Sequence, residues 1–549
     1  MTLDEQLIKT AQDWVAQDFD EANIAELTEL ITAAKSNPSA VAELATRFSG
    51  PLKFGTAGLR AKTGAGESQM NRASVAKAAF GVATWMQSQQ YRTLVVGNDA
   101  RTGSNAYATD TCNIAAALGL TVIRLENPLP TPVLAYALTK LKADAAIMVT
   151  ASHNPASDNG YKVYDKTGSQ IISPTDEEIA ELISTAPKAN QIDRSGAYQD
   201  LAMIDEYVDF VASKALYDLS KDVKIAYTAL HGVGSVTFNK LMKKLGYLKI
   251  FEVDKQQLPA PNFPTVKFPN PEEDGAMELV LEVASANQVD VVIANDPDAD
   301  RTAVAVPTKS GWRVLTGDEL GTLLAWWCIK RRELNGEAIA GAMAASIVSG
   351  SMCKRIAEAH GLEFFYTLTG FKYVSRVPEL IFGYEEAIGY AVLPAQVKDK
   401  DGISAALFAV ELISYLKSQN SSAVEQLESL YSEFGTVLTK QITLRLDSIE
   451  AVTNKLNGLV ANLPSRLGTI ALQQIENFAD GIDSLPKSNG IKLNFNNGRV
   501  IIRPSGTEPK LKCYIEVFGP PTKQLATQQG ELQDLLVELT ASLTELFAT

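Results

Sequence analysis

Four consecutive stretches, TLVVG (93–97), NAYATDTCNIAAALG (105–119), TVIRL (121–125) and AAIMVT (145–150), decide the fold. Short apolar runs on either side of an amphipathic segment read as strands alternating with helices, an order that lays strands in a largely parallel sheet covered by helices. The alternation returns in KIAYTAL (224–230), FNKLMKKLG (238–246), KIFEV (249–253) and VDVVIAN (289–295), and more faintly between 317 and 430. Three α/β blocks follow. No residue-level repeat joins them, so their likeness is one of architecture.

Outward from these blocks the pattern changes twice. Leu7, Ala11, Trp14 and Val15, then Ile24, Leu27, Leu30 and Ile31, recur at helical spacing up to Asn37-Pro38, which predicts an N-terminal helical extension. Beyond TVLTKQITLRL (436–446), a helical stretch leads into antiparallel signals such as Asn497-Gly498 and a polar C-terminal helix, an α+β block. The predicted division is 1–50, 51–203, 204–314, 315–434 and 435–549, with linkers near 195–205, 309–317 and 431–436.

At 549 residues the chain exceeds what one core supports, and 46% hydrophobic with 21% charged residues is the composition of a folded globular protein. A net charge of −14 disfavours a binder of nucleic-acid backbone, so an anionic ligand needs a local basic pocket. The four cysteines (112, 328, 353 and 513) form no CxxC pair, as expected of reduced structural thiols in a cytoplasm. MTLDEQLIKT is acidic and amphipathic, and no run reaches the roughly 18 apolar residues of a membrane span. The expectation is a cytoplasmic protein with no membrane or nucleic-acid partner.

Four constellations carry chemistry. Thr150-Ala151-Ser152-His153-Asn154-Pro155 follows an apolar strand and presents a serine at the edge where α/β proteins bind ligands, beside an imidazole able to exchange its proton. It lacks the G-x-S-x-G of a hydrolase elbow. Asp296-Pro297-Asp298-Ala299-Asp300-Arg301 also follows a strand; alternate carboxylates without Cys or His favour a hard cation, magnesium rather than zinc, and the EF-hand spacing is absent. Arg503-Pro504-Ser505-Gly506-Thr507-Glu508-Pro509-Lys510 joins two strands and offers a guanidinium, hydroxyls and a glycine, a set suited to phosphate. Gly383-Tyr384-Glu385-Glu386-Ala387-Ile388-Gly389, followed by Lys398-Asp399-Lys400-Asp401-Gly402, places adjacent carboxylates where sugar hydroxyls can bond them. A competing glycine turn, His231-Gly232-Val233-Gly234-Ser235-Val236-Thr237, has the start of a dinucleotide fingerprint with Asp254 downstream, but Thr237 replaces its third glycine and nothing else handles a hydride. His231 reads as a turn or core residue, and His360 as a helix-end one.

In this order the motifs resemble the α-D-phosphohexomutase superfamily of phosphoglucomutase and phosphomannomutase, over nearly the whole chain after residue 50 and including Phe54-Gly55-Thr56-Ala57-Gly58-Leu59-Arg60 and Thr369-Gly370. The resemblance implies three similar α/β domains with mixed sheets plus a smaller C-terminal α+β domain around a central cleft. It implies that Ser152 is the phosphorylated serine and that Asp296, Asp298 and Asp300 hold Mg²⁺ with a phosphoserine oxygen. Glu385, with Thr369, Gly370 and Ala387 near it, would read the sugar, and Arg503, Ser505, Gly506 and Thr507 would grip the phosphate not being transferred. Arg60 and Arg301 would stabilise the transferring group, with His153, Lys162 and Lys400 as candidate proton handlers. The implied activity is an intramolecular phosphotransferase acting on a sugar phosphate through a bisphosphorylated sugar such as glucose 1,6-bisphosphate.

Two departures bear on the sugar: Ala387 stands where many hexomutases have serine, and Phe371-Lys372 follow Thr-Gly where several have histidine. EEAIGY with KDKDG resembles the branch that includes phosphopentomutase and the longer bacterial phosphoglucomutases. Glucose phosphate is the first expectation, ribose or deoxyribose phosphate the second and mannose phosphate the third. A sugar-phosphate sensor would lack the serine or the carboxylates, which are present, and a phosphatase would release inorganic phosphate.

Overall fold

The computed structural model describes residues 3–54, 58–126, 128–482, 485–505 and 509–548, which fall in two compact units, 1–304 with 393–407 and 305–392 with 408–549. The first unit opens with helices Leu3–Val15, Glu21–Ala34 and Pro38–Arg47. Asn37-Pro38 breaks the helical spacing inside the extension, where it starts the third helix. The Asn37 side chain accepts from Ser39 N at 2.9 Å, and Pro38 occupies a first-turn position that needs no N–H. Ala11, Trp14, Leu27, Ile31 and Leu44 bury their apolar faces together with Ala65, Ala73 and Ala189, which ties the extension to the α/β body.

Six strands follow in the order Leu59–Lys62, Asp158–Asp165, Ala145–Val149, Thr93–Asn98, Thr121–Leu125, Gln199–Leu201. The last four are parallel and the first two antiparallel, a mixed sheet. Ala145–Val149 is buried at every position, as a strand covered on both faces must be. Because Asp158–Asp165 returns antiparallel to it, Lys162 pairs with Met148 near the point where the serine loop leaves the sheet. The expected linker at 195–205 holds the edge strand Gln199–Leu201 and the start of helix Ile204–Ala212.

The next three strands, Val291–Asn295, Lys224–Thr228 and Lys249–Glu252, are parallel in that order. The expected linker at 309–317 is instead the turn and second strand of a hairpin, Thr302–Thr308 with Gly311–Val314. Residues 393–407, predicted with the third block, pack with the first unit and bring Lys400 and Gly402 with them.

In the second unit, Glu363–Thr367, Ala342–Ser346, Leu380–Glu385 and Gly389–Ala391 form a sheet in that order, the last pair antiparallel. The C-terminal sheet is wholly antiparallel, in the order Val437–Arg445, Lys510–Phe518, Gly498–Pro504, Ile491–Phe495, Gln474–Asn477. Helices Ile449–Ala461 and Leu525–Ala548 close its core through Leu456, Leu536 and Leu539. The predicted hairpin is present, but its two-residue turn is Asn496-Asn497, and Gly498 pairs with Phe495 at the start of the returning strand. The junction at 431–436 is pinned, since Arg355 donates to Phe434 O at 2.9 Å and Gly519 O at 3.2 Å. The protein has a four-domain α/β architecture, and among the described residues no helix is long and apolar enough to cross a membrane.

Candidate active site

The chain leaves strand Ala145–Val149 through Thr150, whose Oγ1 accepts from Ser152 N at 2.9 Å. Ser152 lies in the left-handed region at φ 52°, a conformation a non-glycine residue keeps only when its neighbours enforce it. Its Oγ donates to Asp296 Oδ2 at 2.8 Å and lies 3.3 Å from His153 Nδ1.

Asp296, Asp298 and Asp300 follow strand Val291–Asn295 and are fully buried, with ligand oxygens within 4.8 Å of one another. Among the described residues they form the one such acidic group. Lys162 Nζ donates to Asp298 Oδ2 at 2.8 Å and Asp300 Oδ2 at 3.0 Å, Lys400 Nζ lies 3.1 Å from Asp300 Oδ2, and Thr131 Oγ1 donates to Asp298 Oδ2 at 2.8 Å. The Oδ1 atoms of Asp298 and Asp300 are buried without a hydrogen-bond partner. Orphaned carboxylate oxygens beside a third carboxylate and a serine fit a hard divalent cation, and the absence of sulfur or imidazole from the set fits magnesium. Burial, then the charges of Asp298 and Asp300, push the Asp296 carboxyl well above the usual range. Burial also penalises Asp298 and Asp300, yet Lys162 at both, with Lys400 at Asp300, holds them below it. Burial acts against the Lys162 ammonium, but Asp298 and Asp300 outweigh it and keep it charged.

Two glycines fix this loop. A Cβ on Gly232 would stand 2.3 Å from Pro297 Cα, and Val233 N donates to Pro297 O at 2.8 Å. The His231-Gly232-Val233 turn therefore grips the acidic loop, and the close approach that mimicked a dinucleotide fingerprint is used against protein backbone. On the other flank a Cβ on Gly402 would stand 2.3 Å from Arg301 O. His231 is a buried turn residue, and His360 caps its helix with Nδ1 2.8 Å from Ile356 O.

Arg60 Nη1 donates to Asn154 Oδ1 at 3.0 Å, and Arg301 N donates to Asp296 Oδ1 at 3.1 Å. The structure thus gathers Ser152, His153, Arg60, Lys162, Arg301, Lys400 and the three aspartates in the first unit. Two residues without a motif of their own join them. Thr131 is signalled only by its place at the start of a helix after Pro130. Arg101 donates from Nη2 to Ser152 O at 2.6 Å and Asn154 O at 2.5 Å, and from Nη1 to Pro155 O at 2.7 Å and Asp158 O at 3.1 Å. Its signal was Asp99-Ala100-Arg101 directly after a parallel strand.

The second unit holds the other predicted residues. Glu385 ends strand Leu380–Glu385, and its Oε1 accepts from Gly370 N at 2.7 Å, next to half-buried Thr369. The neighbouring carboxylate differs: Glu386 Oε2 accepts from Ser346 and Ser349, each at 3.1 Å. Ala387 lies in the three-residue turn between Glu385 and its partner Gly389. Arg503, in strand Gly498–Pro504, lies against Tyr514, and Ser505 N donates to Lys510 O at 2.8 Å, closing the base of the loop. Gly506 and Thr507, like Gly55, Thr56 and Ala57, lie outside the described residues.

Family models for phosphoglucomutase/phosphomannomutase α/β/α domains I, II and III and the C-terminal domain match residues 51–190, 205–311, 316–434 and 450–535. A protein of Haemophilus influenzae named "Probable phosphomannomutase" is 40% identical over 83% of this chain and 94% of its own. A phosphopentomutase of Pongo abelii is 35% identical over 98% of this chain and 95% of its own. The fold also matches that of the Paramecium phosphoglucomutase parafusin, with a TM-score of 0.69 at 18% identity over 89% of this chain and 95% of that one.

Proposed function

The chain belongs to the phosphoglucomutase/phosphomannomutase family of phosphosugar mutases, and from that premise we propose that it interconverts the 1-phosphate and the 6-phosphate of a hexose through a phosphoserine at Ser152. The observation that carries this reading is Ser152 Oγ at 2.8 Å from Asp296 Oδ2, beside buried Asp298 and Asp300 oxygens that lack hydrogen-bond partners.

In the proposed cycle the Oγ–P bond of phospho-Ser152 breaks as the free hydroxyl of the sugar phosphate bonds to phosphorus. The sugar then carries two phosphates, reverses its direction, and returns the other phosphoryl group to Ser152. Mg²⁺, held by Asp296, Asp298 and Asp300, would neutralise the charge of the transferring group. Arg60 and Arg301 add fixed positive charge at the serine and acidic loops, and positioning with charge supplies most of such a reaction. The hydroxyl's proton passes to His153, in contact with Oγ, or to Lys400, which faces Asp300; Lys162, kept charged by Asp298 and Asp300, is able to donate a proton and not to accept one.

Glu385 reads the sugar hydroxyls, while Glu386 is engaged by Ser346 and Ser349. Arg503 and Ser505, with Gly506 and Thr507, hold the idle phosphate. Glucose 1-phosphate is the proposed hexose substrate. A pentose 1-phosphate is the second reading, favoured by the likeness to a phosphopentomutase over 98% of the chain. Comparing turnover of glucose, mannose and ribose 1-phosphates tests the choice. A specificity constant for ribose 1-phosphate far above that for glucose 1-phosphate makes the protein a pentomutase, and release of inorganic phosphate from all three contradicts a mutase.

A further inference from the structure

The serine loop is held by a residue outside every motif tied to the chemistry. We propose that Arg101, braced by Phe263, is a positioning residue that sets Ser152 against the acidic loop, an inference that rests on Ser152 as the phosphoryl carrier.

Arg101 has a side chain 1% exposed, and its two terminal nitrogens are spent on four carbonyls of one loop, those of Ser152, Asn154, Pro155 and Asp158. Only a guanidinium presents that many donors in a fixed plane; an ammonium at the same place offers three from a single point. Asp99 aims the arginine, with Oδ2 3.3 Å from its Nε and Oδ1 accepting from its backbone N at 3.0 Å. One of the four carbonyls belongs to Ser152, whose φ of 52° is the strained point of the loop. Fixing that peptide fixes the direction in which Oγ leaves the backbone.

The guanidinium also lies over the Phe263 ring, 4.9 Å from its centroid. The segment that carries Phe263 is tied to the same turn that grips the acidic loop: Ala260 N donates to His231 O at 3.0 Å, Phe263 N donates to Ala260 O at 3.0 Å, and His231 Nε2 lies 2.8 Å from Thr265 Oγ1. One turn thus reaches both reacting loops, the acidic one through Gly232 and Pro297, the serine one through Phe263 and Arg101. That arrangement carries positional information between the phosphoryl carrier and the carboxylates.

The test is single-turnover transfer from phosphorylated Ser152 to glucose 1-phosphate, followed by intact mass, together with substrate affinity and thermal unfolding. Arg101→Lys is expected to slow transfer about 100-fold, the cost of a small misplacement at a reacting centre, with affinity unchanged. Phe263→Leu is expected to slow it roughly 2- to 30-fold by removing only the cation–π brace. A parental transfer rate in folded Arg101→Lys overturns the proposal. Should that variant not fold, a parental rate in Phe263→Leu does so. A parent protein that carries no transferable phosphate instead sinks the serine reading itself.

Discussion

Around Ser152 the carboxylates and the ammonium groups that face them are withdrawn from water, with Lys162, Lys400 and the three aspartates buried, while Arg60, His153 and Arg301 at the rim are half-buried. In the second unit Glu385, Ala387, Arg503 and Ser505 are only half-buried. The proposed function accounts for the difference. Charges that stabilise a transition state work best in a dry, pre-arranged setting, whereas groups that receive and release a sugar must remain open to it. Substitutions in the first region should therefore lower kcat, and those in the second should act on KM or on the choice of sugar.

The largest effect is expected from Asp298→Asn. It leaves Lys162 one carboxylate short and removes a charge from the cation site, so activity should fall by about 10²- to 10³-fold. The Mg²⁺ concentration for half-activation, titrated after chelation, should rise with it. Full activity in excess chelator would break the account of this loop.

Arg503→Ala should lose a charge-assisted contact of about 1.5–3 kcal/mol, roughly 10- to 150-fold in affinity, with kcat little changed. A fall in kcat at constant KM would erase the contrast between the regions.

Asp318 is a carboxyl of the second unit to which the proposed function gives no chemical step. Burial raises its carboxyl from 3.8 to about 6, against donors that include Gly350 N at 2.7 Å, and Tyr384 OH donates to it at 3.0 Å. A folded pKa above the unfolded one means the neutral form is favoured by folding, so this contribution is complete below the unfolded value and lost as pH rises to about 6. Asn cannot ionise. Urea unfolding should show the parent losing about 1–2 kcal/mol relative to Asp318→Asn between pH 4 and pH 7, less than a full shift because the carboxyl keeps some solvent contact. A pH-independent difference would remove that burial effect.

Ala387→Ser should have the smallest effect. Restoring a hydroxyl beside Glu385 adds a hydrogen bond of about 0.5–1.5 kcal/mol, which shifts the ratio of specificity constants toward glucose over ribose 1-phosphate by up to roughly tenfold. An unchanged ratio would discard the role of that missing hydroxyl.

Much of this was legible in the sequence because strand-end loops announce themselves. TASHNP and DPDADR each follow a run of buried apolar residues, and the fold delivers both to one place. What the sequence hid was of two kinds. Lys400 follows the Glu385 loop in the chain, and only the resemblance sets it among the proton handlers; 393–407 packs with the first unit and brings its Nζ to 3.1 Å from Asp300 Oδ2, a neighbourhood that chain order does not encode. Arg101, Thr131 and Gly232 act through contacts to backbone and carboxylate oxygens over separations of 51 to 167 residues where hydrogen bonds record them, and no local pattern encodes such partners. The displaced turn at Asn496-Asn497 is smaller in kind. An Asn-Gly pair signals a hairpin but does not fix which two residues turn.

The proposed function turns on passage of the phosphoryl group through Ser152. The most direct measurement mixes the phosphorylated protein with excess glucose 1-phosphate in a single turnover and follows both protein mass and sugar products. Phosphate is expected to leave Ser152 and appear in a bisphosphorylated sugar, and Ser152→Ala is expected neither to carry phosphate nor to turn over while remaining folded. Near-parental mutase activity in Ser152→Ala, or phosphate that stays on the protein while product forms, would contradict it.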